Sequence, residues 1–201
     1  LVIGSAATLL MAIGLASQAS ISAALYYLIH STLVGAALFL LAQLIADQRG
    51  PARDRLESGP AVAQPALLGA MFFIAAISVA GLPPLSGFVG KTGILQSALI
   101  ETRAGSAAPW GLVWAVLLSG ALLVIVALSR AGSRLFWNTR AAEPDADTRR
   151  AGTWQVVPVL ALLAAGGLVA VLAGPVLIYA QATAAQLLQP RIYIETVRGQ
   201  A

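Results

Sequence analysis

The 201 residues include no cysteine, one lysine and one histidine, and only 10% of them are charged. Without cysteine there are no disulfides, thiolate metal sites or thiol redox chemistry. One histidine supports neither a Ser/His/Asp catalytic set nor a metal-ligand cluster, and no glycine-rich phosphate loop follows a strand. These absences exclude a soluble-type enzyme and leave no reason to expect a cofactor or a structural metal. Soluble domains carry about a quarter of charged residues, more than twice the share here, so this chain cannot cover a water-facing surface. With 59% apolar residues it reads as an all-α polytopic membrane protein. In a soluble protein the net charge of +4 would suggest a nucleic-acid partner; here it reflects arginines in loops, and the partner is the lipid bilayer. The opening Leu1-Val2-Ile3-Gly4 has no initiator methionine and no basic n-region. It is not a signal peptide and reads as a chain entered in mid-protein.

Hydrophobic runs divide residues 1–201 into one transmembrane domain of about five spans, one of them broken: 1–16, 21–46, 61–83 continued by 86–100, 110–129 and 154–180. The first is short, and the turn Ser17-Gln18-Ala19-Ser20 follows it. The third, forty residues from Ala61 to Ile100, is too long for one straight crossing. Pro158 falls in the first turn of the fifth span, and Pro175 bends its end. Beyond Gln181 the chain reads as a polar cap, and all eight acidic residues read as loop residues.

The interruption is Gly81-Leu82-Pro83-Pro84-Leu85-Ser86-Gly87-Phe88-Val89-Gly90-Lys91. Pro83 and Pro84 have no amide donor and clash with the preceding turn. Freed backbone groups at membrane depth are tolerated only where protein or enclosed water satisfies them. Lys91 then follows, the one charged side chain inside an apolar segment. Glu101, the next polar boundary, is roughly 15 Å farther along the helix, beyond the reach of a snorkelling lysine. Ionisable groups at such depth mark ion or proton paths. Gly81, Pro83, Pro84, Ser86, Gly87, Gly90 and Thr92 are the expected lining of the break and its channel.

His30 is the second candidate, roughly 15 Å from one end of its span and about 24 Å from the other. An imidazole passes protons through either ring nitrogen, and Ser31 and Thr32 stand beside it as further lining. Tyr26 and Tyr27 are within helical reach of the ring. A structural alternative stays open, in which the histidine only bonds one helix to another.

Five spans put the loops 47–59 and 130–153 on one face. That face carries Arg49, Arg53, Arg55, Arg130, Arg134, Arg140, Arg149 and Arg150, against Arg103, Arg191 and Arg198 on the other. The positive-inside rule makes the first face cytoplasmic and leaves the C-terminus on the outer face. Trp110, Trp114, Phe136, Trp137 and Trp154 read as an interfacial aromatic belt with no other role.

Two segments, 27–42 (Tyr-Leu-Ile-His-Ser-Thr-Leu-Val-Gly-Ala-Ala-Leu-Phe-Leu-Leu-Ala) and 81–91, resemble the antiporter-like subunits shared by Mrp cation/proton antiporters and respiratory complex I. The likeness is nearest to the D-type subunit of the Mrp (Pha) complex, and residues 186–194 resemble the C-terminus of that component. The resemblance implies a fourteen-helix fold of two inverted five-helix repeats, each with a broken helix, of which this chain is the C-terminal part. It implies proton translocation through Lys91, with His30 and waters as relay, coupled to Na⁺ or K⁺ exchange within a complex of several membrane subunits in a bacterial inner membrane. Many relatives have a lysine where this chain has Val34, which makes a quinone-reductase pumping subunit a weaker fit. A complex I or membrane-bound hydrogenase subunit is one alternative. A structural scaffold subunit without its own ion path is the other.

Overall fold

Proline, glycine and serine decide where the helices stop and start. The computed structural model describes residues 1–57, 59–103, 110–139, 150–189, 194 and 197–199. It is all-helical, with α1 (Val2–Gly14), α2 (Gln18–Asp47), α3 (Pro65–Ala80), α4 (Ser86–Arg103), α5 (Trp110–Gly132), α6 (Thr153–Val171) and α7 (Ala173–Leu187). Arg140, Arg149, the acidic segment 143–147 and most of the C-terminal tail, Arg191 included, lie outside the described residues. Gln18–Asp47, Trp110–Trp137 and Thr153–Val171 are each long and apolar enough to cross a membrane. α3 and α4, with 16 and 18 residues, rise only about 24 and 27 Å, so neither comfortably spans a ~30 Å hydrocarbon core alone.

Several boundaries differ from the hydropathy reading, each for a local reason. Ser17 is the N-cap of α2: its hydroxyl accepts from Ser20 N, and Ser20 Oγ accepts from Ser17 N, both at 3.1 Å. This reciprocal box satisfies two orphan donors and starts the helix at Gln18 rather than at residue 21. α5 runs past Ser129 and continues as a turn of π-helix over Ser133–Trp137, so Arg130 and Arg134 are helical rather than loop residues. The fifth apolar run is two helices. Pro175 cannot donate to Val171, and its ring would meet that carbonyl, so α6 stops there and α7 starts anew at Ala173. Pro158 lies one turn inside α6 rather than in its first turn. Residues 181–187, read as a polar cap, are the last turns of α7. Asp47 closes α2 and Glu101 lies in the last turn of α4, so these two carboxylates are at helix ends, not in loops.

α2 is the central helix and packs against α1, α3, α4, α6 and α7. Tyr26 Oη donates to Val169 O of α6 at 3.1 Å, and Gln18 Nε2 donates to Gln181 O of α7 at 3.4 Å. The bent α6–α7 pair therefore runs antiparallel to α2. Apolar side chains gather in two clusters. One joins Leu41, Leu44 and Ile45 of α2 to Leu68, Met71, Leu135, Val156 and Val159. The other joins Ala23, Ala24 and Tyr27 to Ala12, Ile94, Ala98, Val113 and Leu117. His30 and the helix break lie between them.

A polar cluster closes one end of the bundle. Arg49, only 1% exposed, donates through Nη1 to Arg53 O at 3.0 Å and to Arg55 O, and through Nη2 to Glu57 O at 2.6 Å. Gln48 and Gln64 pair reciprocally at 3.1 and 3.2 Å, and Ala151 N donates to Gln64 Oε1 at 3.0 Å. Arg134 Nη1 reaches Leu56 O at 3.0 Å. The described parts of both arginine-bearing loops thus meet at one end of the helices. The aromatic belt needs correcting at two positions. Trp114 Nε1 donates to Leu95 O of α4 at 3.2 Å, and Phe136 packs on Phe72 with ring centroids 5.7 Å apart. Both rings join helices inside the bundle.

Candidate functional site

The candidate site is the gap between α3 and α4. In a continuous helix the amides of residues 83 and 84 would donate to the carbonyls of Val79 and Ala80. Proline at both positions removes those two donors. Gly81, with φ +79, closes α3 in the left-handed conformation; its N–H reaches Ser78 O, and Leu82 N reaches Ile77 O, both at 3.2 Å. This is a Schellman closure, and it satisfies the carbonyls of Ile77 and Ser78, two residues deeper, while giving Val79 and Ala80 no backbone partner. Lys91 supplies what is missing. From the second turn of α4 its side chain folds back, and Nζ donates to Val79 O at 2.8 Å and to Ala80 O at 3.0 Å. A cation at the C-terminal end of a half-helix also meets the negative end of its dipole.

The lysine stem passes where a side chain on residue 81 would be. A Cβ there would lie 2.7 Å from Lys91 Cδ, so glycine is required twice, by its φ and by this passage. Pro83 and Pro84 are exposed, and the peptide between them is cis.

His30 is 1% exposed, and its Nδ1 shares a 2.9 Å hydrogen bond with Ser86 Oγ, the first residue of α4. The Tyr27 ring packs against the imidazole at 5.6 Å between centroids, whereas Tyr26 turns away to α6. α2 and α4 approach through glycines in antiparallel register: Gly87 faces His30, Gly90 faces Tyr27 and Gly93 faces Ala23. Small residues at such a seam let two backbones come close. The seam is tightest at Gly87, where a Cβ would overlap Ser78 O and fall 2.9 Å from His30 Nε2. His30 and Lys91 therefore meet the same break from two sides, His30 at the start of α4 and Lys91 at the end of α3.

The remaining sequence candidates divide. Gly81, Pro83, Pro84, Ser86, Gly87 and Gly90 are at the break or on its glycine seam. Thr92 bonds back to Phe88 O and Val89 O of its own helix, at 2.8 and 3.1 Å. Ser31 and Thr32 bond to Leu28 O at 3.1 and 2.8 Å and line a cavity of about 790 Å³ between α1, α2, α3 and α5, which Val79 also lines. Those two hydroxyls are not brought to the imidazole. Val34, also on that cavity, is buried. Sequence reasoning missed the Val79 and Ala80 carbonyls, although counting four residues back from each proline finds them. It also missed Gly93, whose three-residue spacing from Gly90 and Gly87 was visible.

Known proteins share this arrangement of helices. Residues 2–125 match the NADH:quinone oxidoreductase/Mrp antiporter transmembrane family. The chain is 36% identical over 98% of its length to the D component of a probable K⁺/H⁺ antiporter from Rhizobium meliloti, covering 40% of that protein. It is 35% identical to the D component of a Na⁺/H⁺ antiporter from Bacillus subtilis, with 98% of this chain and 38% of that one covered. The chain thus spans about two fifths of the curated relatives it matches. Among solved structures, the Mrp complex from Dietzia sp. DQ12-45-1b superposes with a TM-score of 0.73 at 26% identity, over 94% of this chain and 42% of the matched one.

Proposed function

The chain belongs to the NADH:quinone oxidoreductase/Mrp antiporter transmembrane family, and from that membership we propose that it is part of a proton-translocating D-type subunit of a cation/proton antiporter. Protons pass by way of Lys91, with His30 and enclosed water as relay, in exchange for Na⁺ or K⁺. Other membrane subunits of a hetero-oligomeric complex complete the path in a bacterial plasma membrane. One observation carries the reading: Lys91 caps two carbonyls at the end of α3 that have no backbone donor, so a single ionisable group bridges the two halves of a helix break within an apolar run. A lysine so placed can couple its proton to the geometry of the break, because losing or moving the ammonium changes what the carbonyls bond. The names of the relatives, which include components of both K⁺/H⁺ and Na⁺/H⁺ antiporters, support the ion class without choosing the cation.

The reading is tested in inside-out vesicles that carry the complete subunit and its partners. A pH-sensitive dye, quenched by an imposed proton gradient, should brighten when NaCl or KCl is added. Equal exchange in vesicles lacking the subunit would overturn the proposal. In the same assay His30→Ala is expected to slow exchange by up to about a hundredfold, the low end of what a positioned proton carrier contributes, because water can bridge its place. An unchanged rate would remove His30 from the path.

For orientation we propose that the end holding Arg49, Arg53 and Arg134 is cytoplasmic and the C-terminus external. Single cysteines at Asp54 and Arg198, in an otherwise functional complex, decide this in intact cells. An impermeant thiol reagent should label the second and spare the first; the reverse pattern would invert the topology.

A further inference from the structure

The end of α3 has the properties of an ion ligand set as well as those of a helix cap. Val79 O and Ala80 O lack backbone donors because the left-handed turn at Gly81 ends α3 at these residues, and Pro83 and Pro84 offer no N–H that could continue it. They also converge, since one nitrogen touches both at 2.8 and 3.0 Å. That occupant is an ammonium, which resembles a potassium ion in charge and size. Half-helix C-termini with unwound carbonyls are where membrane transporters hold alkali cations, and carbonyl oxygens can replace such an ion's water shell. The oxygens are neutral, and the described residues contain no group of three or more acidic or histidine side chains that could hold a metal. A hard divalent ion, which prefers carboxylates, is therefore a poor fit. Two carbonyls are a partial ligand set, so waters or groups of the complete subunit would supply the rest of the ion's shell.

We propose that the carbonyls of Val79 and Ala80 form part of a binding site for a monovalent alkali cation of potassium's size, with the Lys91 ammonium as the competing occupant. The inference rests on the transport reading above and adds to it where the cation sits. Ammonium and cation exclude each other because both need the same two oxygens. The lysine stem leaves along the groove kept open by Gly81, so the exchange of occupants requires a side-chain swing and no unwinding of α3.

The test uses the purified complex with the full subunit, and rubidium ion as the potassium mimic, in equilibrium dialysis. Lys91→Met removes the competitor and is expected to tighten rubidium binding by about tenfold, within the usual range of coupling between mutually exclusive ligands. Excess KCl should displace the bound ion, and N-methylglucamine chloride should not. An assembled Lys91→Met complex that binds rubidium no better than wild type would overturn the site, even where its proton exchange is lost. An assembled Lys91→Met complex with intact proton exchange would instead overturn the functional reading itself.

Discussion

In the complete subunit, Lys91→Ala is expected to reduce cation-dependent proton exchange to background, a loss of about ten-thousandfold at the upper end for a positioned proton carrier. Lys91 is the only charged side chain within the apolar runs 1–16, 21–46, 61–100, 110–129 and 154–180, and among the described residues no other charged side chain bonds to the break. Alanine also strips the donor from Val79 O and Ala80 O, and each buried carbonyl left unpaired costs about 1–3 kcal/mol. Loss of activity alone would not separate a proton carrier from a helix cap. Lys91→Gln makes that separation, since its amide keeps an N–H donor on a side chain one bond shorter and cannot carry the proton. Both variants should assemble, as judged by recovery of the intact complex, and both should fail in the vesicle assay. Wild-type exchange by an assembled Lys91→Gln complex would make the lysine a cap only and favour a scaffold role.

The second large effect is on folding. Gly87→Val should prevent stable assembly, because a Cβ at residue 87 overlaps Ser78 O and lies 2.9 Å from the His30 ring. The nearer obstacle is backbone and cannot rotate away, so the cost exceeds the roughly 1–3 kcal/mol of ordinary overpacking. Gly120→Ala is the matched control. Among the described residues its added Cβ meets nothing within 4 Å, and exchanging a mid-helix glycine for alanine is favourable by about 0.5–1 kcal/mol. Fluorescence-detected size-exclusion of membrane extracts should show the complex lost for Gly87→Val and retained for Gly120→Ala. Equal recovery of the two would mean that α4 moves freely away from α3 and α2, against the close approach described above.

How much of this was legible beforehand depended on the range of each interaction. The break was legible because two adjacent prolines act on their own backbone, four residues back, whatever surrounds them. Lys91 and His30 stood out because a lone ionisable group in an apolar run has a cost that composition alone registers. The Ser86–His30 bond was not legible, since 56 residues separate the pair and no local rule says which helices face each other. Gly87, Gly90 and Gly93 looked like features of the break, and only the antiparallel partner α2 turns them into a seam. Arg49 was counted as a topogenic loop charge. Its burial under three carbonyls depends on the path of residues 53–57, which periodicity does not encode. Pro175 signalled a bend, but two separate helices result because α2 offers both α6 and α7 a surface.

The folded-back lysine also bears on how the protein meets the membrane voltage. Between gripping the end of α3 and extending beside α4, the ammonium would travel about one helical turn, ~5 Å, along the helix axis. That is roughly a sixth of a ~30 Å hydrocarbon core. An elementary charge crossing the full field does work of about 2.3 kcal/mol per 100 mV, so this swing accounts for ~0.4 kcal/mol. Such a difference changes the ratio of the two positions only about twofold. The electrical potential would tilt this step gently, leaving its direction to the ions that compete for the carbonyls.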